Sequence, residues 1–219
     1  KQATSQLDSN KQITILDFGS GKSYLTFSTY YYLTEVLNMN VKIIGIDLKK
    51  EVIEHCNNIA KKLNFSNLSF IYGDVIDYEN KEEIDMVISL HACNTATDIA
   101  ILKALGWKAK VFFAVPCCQK EVNSQLNDEF LPFMLKHGIV KEKFSTLLTD
   151  SVRSEVLEAF GYKSDIVEFI SAENTPKNQL IRAYKMTNNV DKEKLSNIKK
   201  FTSSLNVKMF LLDEVNKLI

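Results

Sequence analysis

Apolar residues in this chain fall into two rhythms that alternate from the amino terminus onward. Short β-favouring runs occur at Ile13 to Phe18, Val41 to Asp47, Leu68 to Tyr72, Ile84 to Leu90 and Val111 to Val115, and each reads as a buried strand. Helical patterns separate them. From Ser23 to Asn38, the residues Leu25, Thr29, Tyr32, Leu33 and Val36 share one face, with Ser23 placed as an N-cap. Val52, Cys56, Ile59, Ala60 and Leu63 form the next stripe, with Cys56 as a small core residue, and Ile101, Leu102 and Leu105 mark a third helix. A fourth helix starts from about Glu121 with Val122, Leu126, Phe130 and Phe133. A fifth starts from about Asp150 with Val152, Val156 and Phe160, and Gly161-Tyr162 stops it. Ile166 to Ile170 and Gln179 to Met186 are two further strands joined by the short turn Asn174-Thr175-Pro176-Lys177-Asn178. A connection that short holds no crossover, so the pair is antiparallel. Residues 187 to 219 carry one or two more helices, with Leu195, Ile198, Phe201 or Thr202, and Leu205 as the stripe.

The pattern predicts an α/β protein with a polar lead-in over 1–12, a body over 13–186 and a helical extension over 187–219 packed on it. At 219 residues and 45% apolar content the chain suffices for one sizeable domain. Lys plus Arg and Asp plus Glu number 27 each, so there is no global basic field to gather nucleic acid, and any RNA contact must come from a local patch or an upstream region. No run is long and apolar enough for a signal stretch or a membrane span, and with four cysteines the default is a reduced, cytoplasmic protein. The chain begins at Lys1, which suggests a fragment of something longer.

Candidate chemistry centres on Ile13 to Ser23, where the first strand breaks into Gly19-Ser20-Gly21 just before a helix. Glycine tolerates positive φ and lets a ligand approach bare backbone, so a nucleotide-like ligand is expected there. A phosphate-cradling P-loop needs glycine where this chain has Leu16, and a dinucleotide fingerprint needs a small residue where it has Tyr24. What remains is an acid ending the first strand (Asp17), G-S-G, and a second acid (Asp47) ending I-I-G-I-D. This resembles the class I S-adenosylmethionine-dependent methyltransferases. The resemblance implies a Rossmann-like, doubly wound seven-stranded sheet in the order 3-2-1-4-5-7-6 with strand 7 antiparallel. It implies S-adenosyl-L-methionine as cofactor, with Asp17, Gly19, Ser20, Gly21 and Tyr24 around its methionine part and Asp47 and Leu48 at its ribose. Asp74 and Val75, after the third strand, would take the adenine, with Asp74 alternatively an ordinary turn aspartate.

S-L-H-A-C-N-T-A-T-D, V-P-C-C-Q-K-E and N-T-P-K-N-Q-L-I-R-A narrow the resemblance to a subgroup of methyltransferase-like proteins of unassigned substrate. The first also resembles a tRNA ribose 2′-O-methyltransferase family, which implies RNA as the acceptor. Where the subgroup often has histidine after P-C-C-Q, this chain has Lys120. Strand ends gather ligands in such a sheet, which brings His91 to Asp98 and Pro116 to Gln119 to the same rim. Methyl transfer from a sulfonium is an in-line displacement, so positioning dominates and a base is needed only if the acceptor loses a proton. His91 is the candidate base or a wall of the cofactor pocket. Cys93, Asp98 and Cys117 are further candidates, Asp98 also being well placed against the dipole of its helix.

Zinc on His91, Cys93, Cys117 and Cys118 is disfavoured, because adjacent cysteines rarely reach one tetrahedral ion and no C-x-x-C pair exists, so no metal site is expected. A covalent role for Cys117 on a pyrimidine lacks its partner element on the fourth strand. The Asp/Asn-Pro-Pro-Tyr/Phe clamp for exocyclic amines is likewise missing there. Two other classes compete with methyl transfer: a silent cofactor- or partner-binding domain of the same fold, and a nicotinamide-dependent oxidoreductase.

Overall fold

The structure, a computed structural model, describes residues 3–79, 82–90, 95–127, 131–171, 173–175 and 177–219. Seven strands form one sheet: β1 (Ile13–Phe18), β2 (Val41–Asp47), β3 (Leu68–Tyr72), β4 (Met86–Leu90), β5 (Val111–Val115), β6 (Tyr162–Glu168) and β7 (Gln179–Lys185). Their order is β3-β2-β1-β4-β5-β7-β6, with β7 antiparallel to both neighbours, as the hairpin's short turn requires. This is the Rossmann-like fold of the methyltransferase class. β6 starts at Tyr162 rather than Ile166, because Gly161 at φ +82° turns the chain straight out of the preceding helix. A Cβ at Gly161 would lie 2.4 Å from the Thr187 carbonyl. β4 starts at Met86 rather than Ile84. Just before it, the Asp85 carboxylate accepts the Thr14 N–H and sits 3.0 Å from both Lys11 and Lys110, pinning the amino ends of β1, β4 and β5.

β1 is buried along its whole length, so it is covered on both faces. On one face Ile13, Ile15, Ile43 and Ile88 meet α1 (Tyr24–Tyr31) and α2 (Lys50–Lys62). The other face is thicker: Leu16, Phe18, Val87 and Phe112 pack with α3 (Thr95–Gly106), α6 (Gly138–Ala159), α7 (Lys192–Ser204) and α8 (Phe210–Glu214). Two short helices, α4 (Lys120–Gln125) and α5 (Pro132–Leu135), lead from β5 toward α6. The extension is integral to this side, with Leu195, Ile198, Thr202, Leu211 and Leu212 buried and Phe201 exposed, so Thr202 completes the stripe. Among the described residues no helix is long and apolar enough to cross a membrane.

Several helix readings need correction. In α1 the buried residues are Thr26 and Tyr30, followed by Leu33 in a wider π turn over Tyr32–Val36, while Leu25, Tyr32 and Val36 are about half exposed. In α2 the core stripe is Ile53, Cys56 and Ala60, with Leu63 outside it. Ser23 stands at the N-cap position of α1 as expected, and its carbonyl accepts the Phe27 N–H at 2.9 Å, but its side chain makes no capping bond. Ser23 adopts φ +60°, and its hydroxyl reaches the Ser20 and Gly21 carbonyls at 3.3 and 3.1 Å, closing the glycine turn on itself. Val122 and Leu126 are buried as expected, but α4 ends at Gln125 and Phe133 is exposed; Phe130 lies outside the described residues. α6 begins at Gly138, well before Asp150; the buried face of its first half is Ser145, Leu148 and Thr149, so that half carries no apolar stripe in the sequence. Leu7, in the polar lead-in, is buried with the β1 and β2 residues of the α1 face.

Candidate functional site

The carboxyl end of β1 places Asp17 on the α1 side of the sheet, next to Gly19 (φ +69°) and Gly21 (φ +51°). Both glycines occupy the left-handed region, where a side chain is strained. Gly45 on β2 faces Asp17 in register, and a Cβ there would lie 2.4 Å from the Phe70 ring and 3.1 Å from Ser20 Oγ. This glycine therefore lets the turn seat on β2. The Gly19 and Ser20 N–H groups both donate to the Ile46 carbonyl, at 2.9 and 3.2 Å. The Gly21 N–H donates to Asp47 Oδ2 at 2.9 Å, and Asp47 Oδ1 accepts the Lys49 N–H at 2.9 Å. Each of these three N–H groups is thus bound within the protein, leaving none of them for a phosphate.

Asp17 is the opposite case. It is 3% exposed, and Thr26 on α1 donates its hydroxyl to Oδ2 at 2.5 Å, while Oδ1 has no partner. Burial raises its pKa to about 6, opposed by the Thr26 hydrogen bond and reinforced by the nearby charge of Asp47. The Ser20 hydroxyl is likewise buried without a partner. Unsatisfied buried polar atoms are costly and rare, so two of them at one glycine turn mark a place where a ligand's polar groups belong. The unsatisfied acceptor on Asp17 suits a donor such as an ammonium group.

A cavity of about 750 Å³ opens over this turn and runs away from Asp47, across β4, β5 and β7. Asp17 and the glycine turn form one end of it. Leu25, Thr29 and Tyr32 of the α1 segment form a wall, which is why that face, as periodic as a core stripe, is not in the core. Ile88, Leu90, Phe113, Val115 and Leu180 form the floor, and Phe169, Ile170 and Lys177 of the hairpin stand at the far side. None of these outer residues was identified as a site residue from the sequence. The alternation within each strand puts them on the α1 face, but only the strand order brings them together.

Asp47, Leu48, Asp74 and Val75 lie outside that cavity, at the neighbouring strand ends. Leu48 is 62% and Tyr24 76% exposed. Asp74 is exposed, with Oδ1 accepting the Ile76 N–H at 3.0 Å in a local turn. Val75 packs partly against the core beneath α3. β4 and β5 pair with Leu90 beside Val115, so the segments that follow leave adjacent positions of one edge. His91 and Cys93 lie outside the described residues. Cys117 and Cys118 are half-buried with their sulfurs 3.7 Å apart. Asp98 does not line the cavity beside the glycine turn; it is 1% exposed and paired at 2.7 Å with Arg153, which matches the structural reading of this residue.

A family profile described as Methyltransferase domain matches residues 1–125. The chain belongs to this methyltransferase-domain family. Its glycine turn, Asp17, Asp47, Asp74 and Asp98 all lie within the matched part. No curated protein sequence matches it. Among solved structures, it is similar to an rRNA methylase from Streptococcus thermophilus, with TM-score 0.54 and 14% identity, covering 84% of this chain and 92% of that one. It is also similar to a protein from Streptococcus mutans described as a methyltransferase and solved with S-adenosylhomocysteine (SAH), with TM-score 0.55 and 16% identity over 84% and 94% of the two chains. A [4+2]-cyclase shares the fold at TM-score 0.51 and 11% identity, covering 84% of this chain and 79% of the cyclase. The fold therefore carries more than one chemistry, and the site has to argue for the reaction.

Proposed function

We propose that this methyltransferase domain uses S-adenosyl-L-methionine and transfers its methyl group to RNA. The turn carries the reading. Three of its N–H groups are occupied by Ile46 and Asp47, so a pyrophosphate would find few donors, whereas the unpartnered Asp17 Oδ1 suits the ammonium of an amino-acid moiety. That combination favours a methionine-bearing cofactor over a nicotinamide dinucleotide. Asp17, Gly19, Ser20, Gly21 and Tyr24 would hold the methionine part, Asp47 and Leu48 the ribose, and Asp74 and Val75 the adenine. The cofactor brings a methyl group on a positive sulfur, ready for displacement.

The chain's own groups supply position and proton control. Asp17 must be ionised to hold an ammonium, which its pKa of about 6 allows at neutral pH. The largely apolar cavity beside the turn gives an acceptor group a surface on which to be positioned against the transfer path. His91 is proposed as the base where the acceptor must lose a proton, with Cys93 and Cys117 shaping its surroundings. RNA as acceptor rests on the H-A-C and A-T-D resemblance and on the rRNA methylase among the similar structures. The experiment is incubation with methyl-labelled cofactor and bulk RNA or bulk protein. Label retained on RNA and reduced on the order of 10²-fold by His91→Ala supports the reading. Label on protein alone refutes the RNA acceptor, and SAH binding with no transfer to either class points to the silent domain.

A further inference from the structure

The first turn of α3 and the segment after β5 are both tied to α6 through one buried guanidinium. Arg153 is the largest side chain among those fully buried, and one of only two arginines in a chain that uses lysine for its other basic positions. Its Nε donates to Asp98 Oδ1 at 2.7 Å, in the first turn of α3, and its Nη1 donates to Asp150 Oδ1 at 2.9 Å. Asp150 Oδ2 in turn accepts from Gln119 Nε2 at 3.4 Å, and Gln119 Oε1 accepts the Thr146 hydroxyl at 3.1 Å. Gln119 ends the P-C-C-Q segment after β5, and Asp98 ends the A-T-D segment after β4. Arg153, Asp98 and Asp150 are each 1% exposed and Gln119 is 6% exposed.

Such a cluster is a poor way to gain stability. Two acids and one base are stripped of water, and burial pushes both Asp98 and Asp150 up from their ordinary carboxyl values. Apolar side chains of the same volume would commonly serve at least as well. What a guanidinium offers instead is a rigid fork with fixed donor directions, which a lysine ammonium does not reproduce. We propose that Arg153 is a positioning residue for the rim: through Asp98 it fixes the start of α3, and through Asp150 and Gln119 it fixes the Cys117–Gln119 segment. None of these four residues lines the cavity beside the glycine turn, so their influence on the reaction passes through the start of α3 and the segment after β5. That the rim serves methyl transfer rests on the proposed function; the tethering itself does not.

The test uses the full chain and the reactivity of Cys117 and Cys118 toward a thiol reagent, mapped by peptide mass spectrometry, with buried Cys56 as internal reference. Arg153→Met is expected to raise labelling at Cys117 and Cys118 about tenfold at temperatures well below its melting transition, with Cys56 unchanged. Gln119→Ala cuts only the β5 tether and leaves the ion cluster intact; it is expected to raise the same labelling at least threefold and decides the matter if Arg153→Met does not fold. Arg153→Lys should behave like Arg153→Met rather than restore wild-type rates. Lowered melting temperature with unchanged labelling in folded Gln119→Ala, or in folded Arg153→Met, overturns the proposal. Calorimetry with SAH runs beside it: failure of the wild type to bind refutes the cofactor reading, while the labelling comparison still judges the tether.

Discussion

Asp17 and Asp98 each stand where a parallel strand hands the chain on toward a helix, both are almost wholly buried, and in both burial pushes the carboxyl up. They differ in what answers the charge. Asp98 meets a guanidinium at 2.7 Å, which it shares with Asp150, so its charge is answered by a partner inside the protein. Asp17 has a hydroxyl on one oxygen and nothing on the other, with the negative charge of Asp47 nearby. A scaffold acid is satisfied by its own chain, whereas an acid held unsatisfied at the end of a cavity is waiting for something from outside. The same contrast separates the two motif groups: the glycine turn keeps buried polar atoms without a partner, and the A-T-D and P-C-C-Q segments are both tied to α6 through Arg153 and Asp150.

The contrast can be broken by substitution. Gly21→Val should have the largest effect, because residue 21 needs φ +51° and the new side chain would stand where the ligand meets the backbone. SAH affinity should fall on the order of 10²-fold or more by calorimetry. Asp17→Asn comes next, and its sign is unusual. The folded pKa of Asp17, about 6, lies above its ordinary value of 3.8, so the native state binds the proton more tightly than the unfolded chain. Stability is therefore lost as pH rises from about 4 to about 6, and above that the charge costs on the order of 3 kcal/mol. Without ligand, Asp17→Asn should be more stable than wild type above pH 6 by up to that amount, the difference vanishing near pH 4 in denaturant titrations.

Asp47→Ala follows, with an expected loss of about 1.5 to 3 kcal/mol in SAH binding. Part of that loss arises because the Gly21 N–H it holds at 2.9 Å goes free. Asp98→Asn closes the series as the smallest effect on binding: the melting temperature drops, since a buried ion pair is weakened, but SAH affinity should stay within about threefold of wild type. A large binding loss there would erase the distinction between the two acids.

Much of this was legible in the residues. Asn174 to Asn178 was too short for a crossover, which forced the antiparallel end of the sheet, and G-S-G between Asp17 and Asp47 located the turn. The errors have separate causes. Leu25, Thr29 and Tyr32 repeat like a core stripe because periodicity reports an apolar environment, and here the environment is a cavity wall. The first half of α6 was invisible because its buried face includes Ser145, Thr149 and Asp150 beside Leu148. The role of Asp98 depended on Arg153, which lies 55 residues further along on a different helix, and no local spacing announces such a pair. Arg153 was nonetheless a signal, being a rare arginine set among the apolar residues of its own helix.

The central claim is that the open oxygen of Asp17 receives the ammonium of an S-adenosylmethionine-type cofactor. Titration calorimetry with SAH from pH 5 to pH 8, on wild type and Asp17→Asn, tests it most directly. The account predicts that wild-type affinity climbs as Asp17 ionises, through about pH 6, and then levels off. Asp17→Asn should bind roughly tenfold more weakly at pH 7.5, with that climb removed. Wild-type affinity that is flat across this range, or an Asp17→Asn protein that binds as tightly as wild type at pH 7.5, would contradict it.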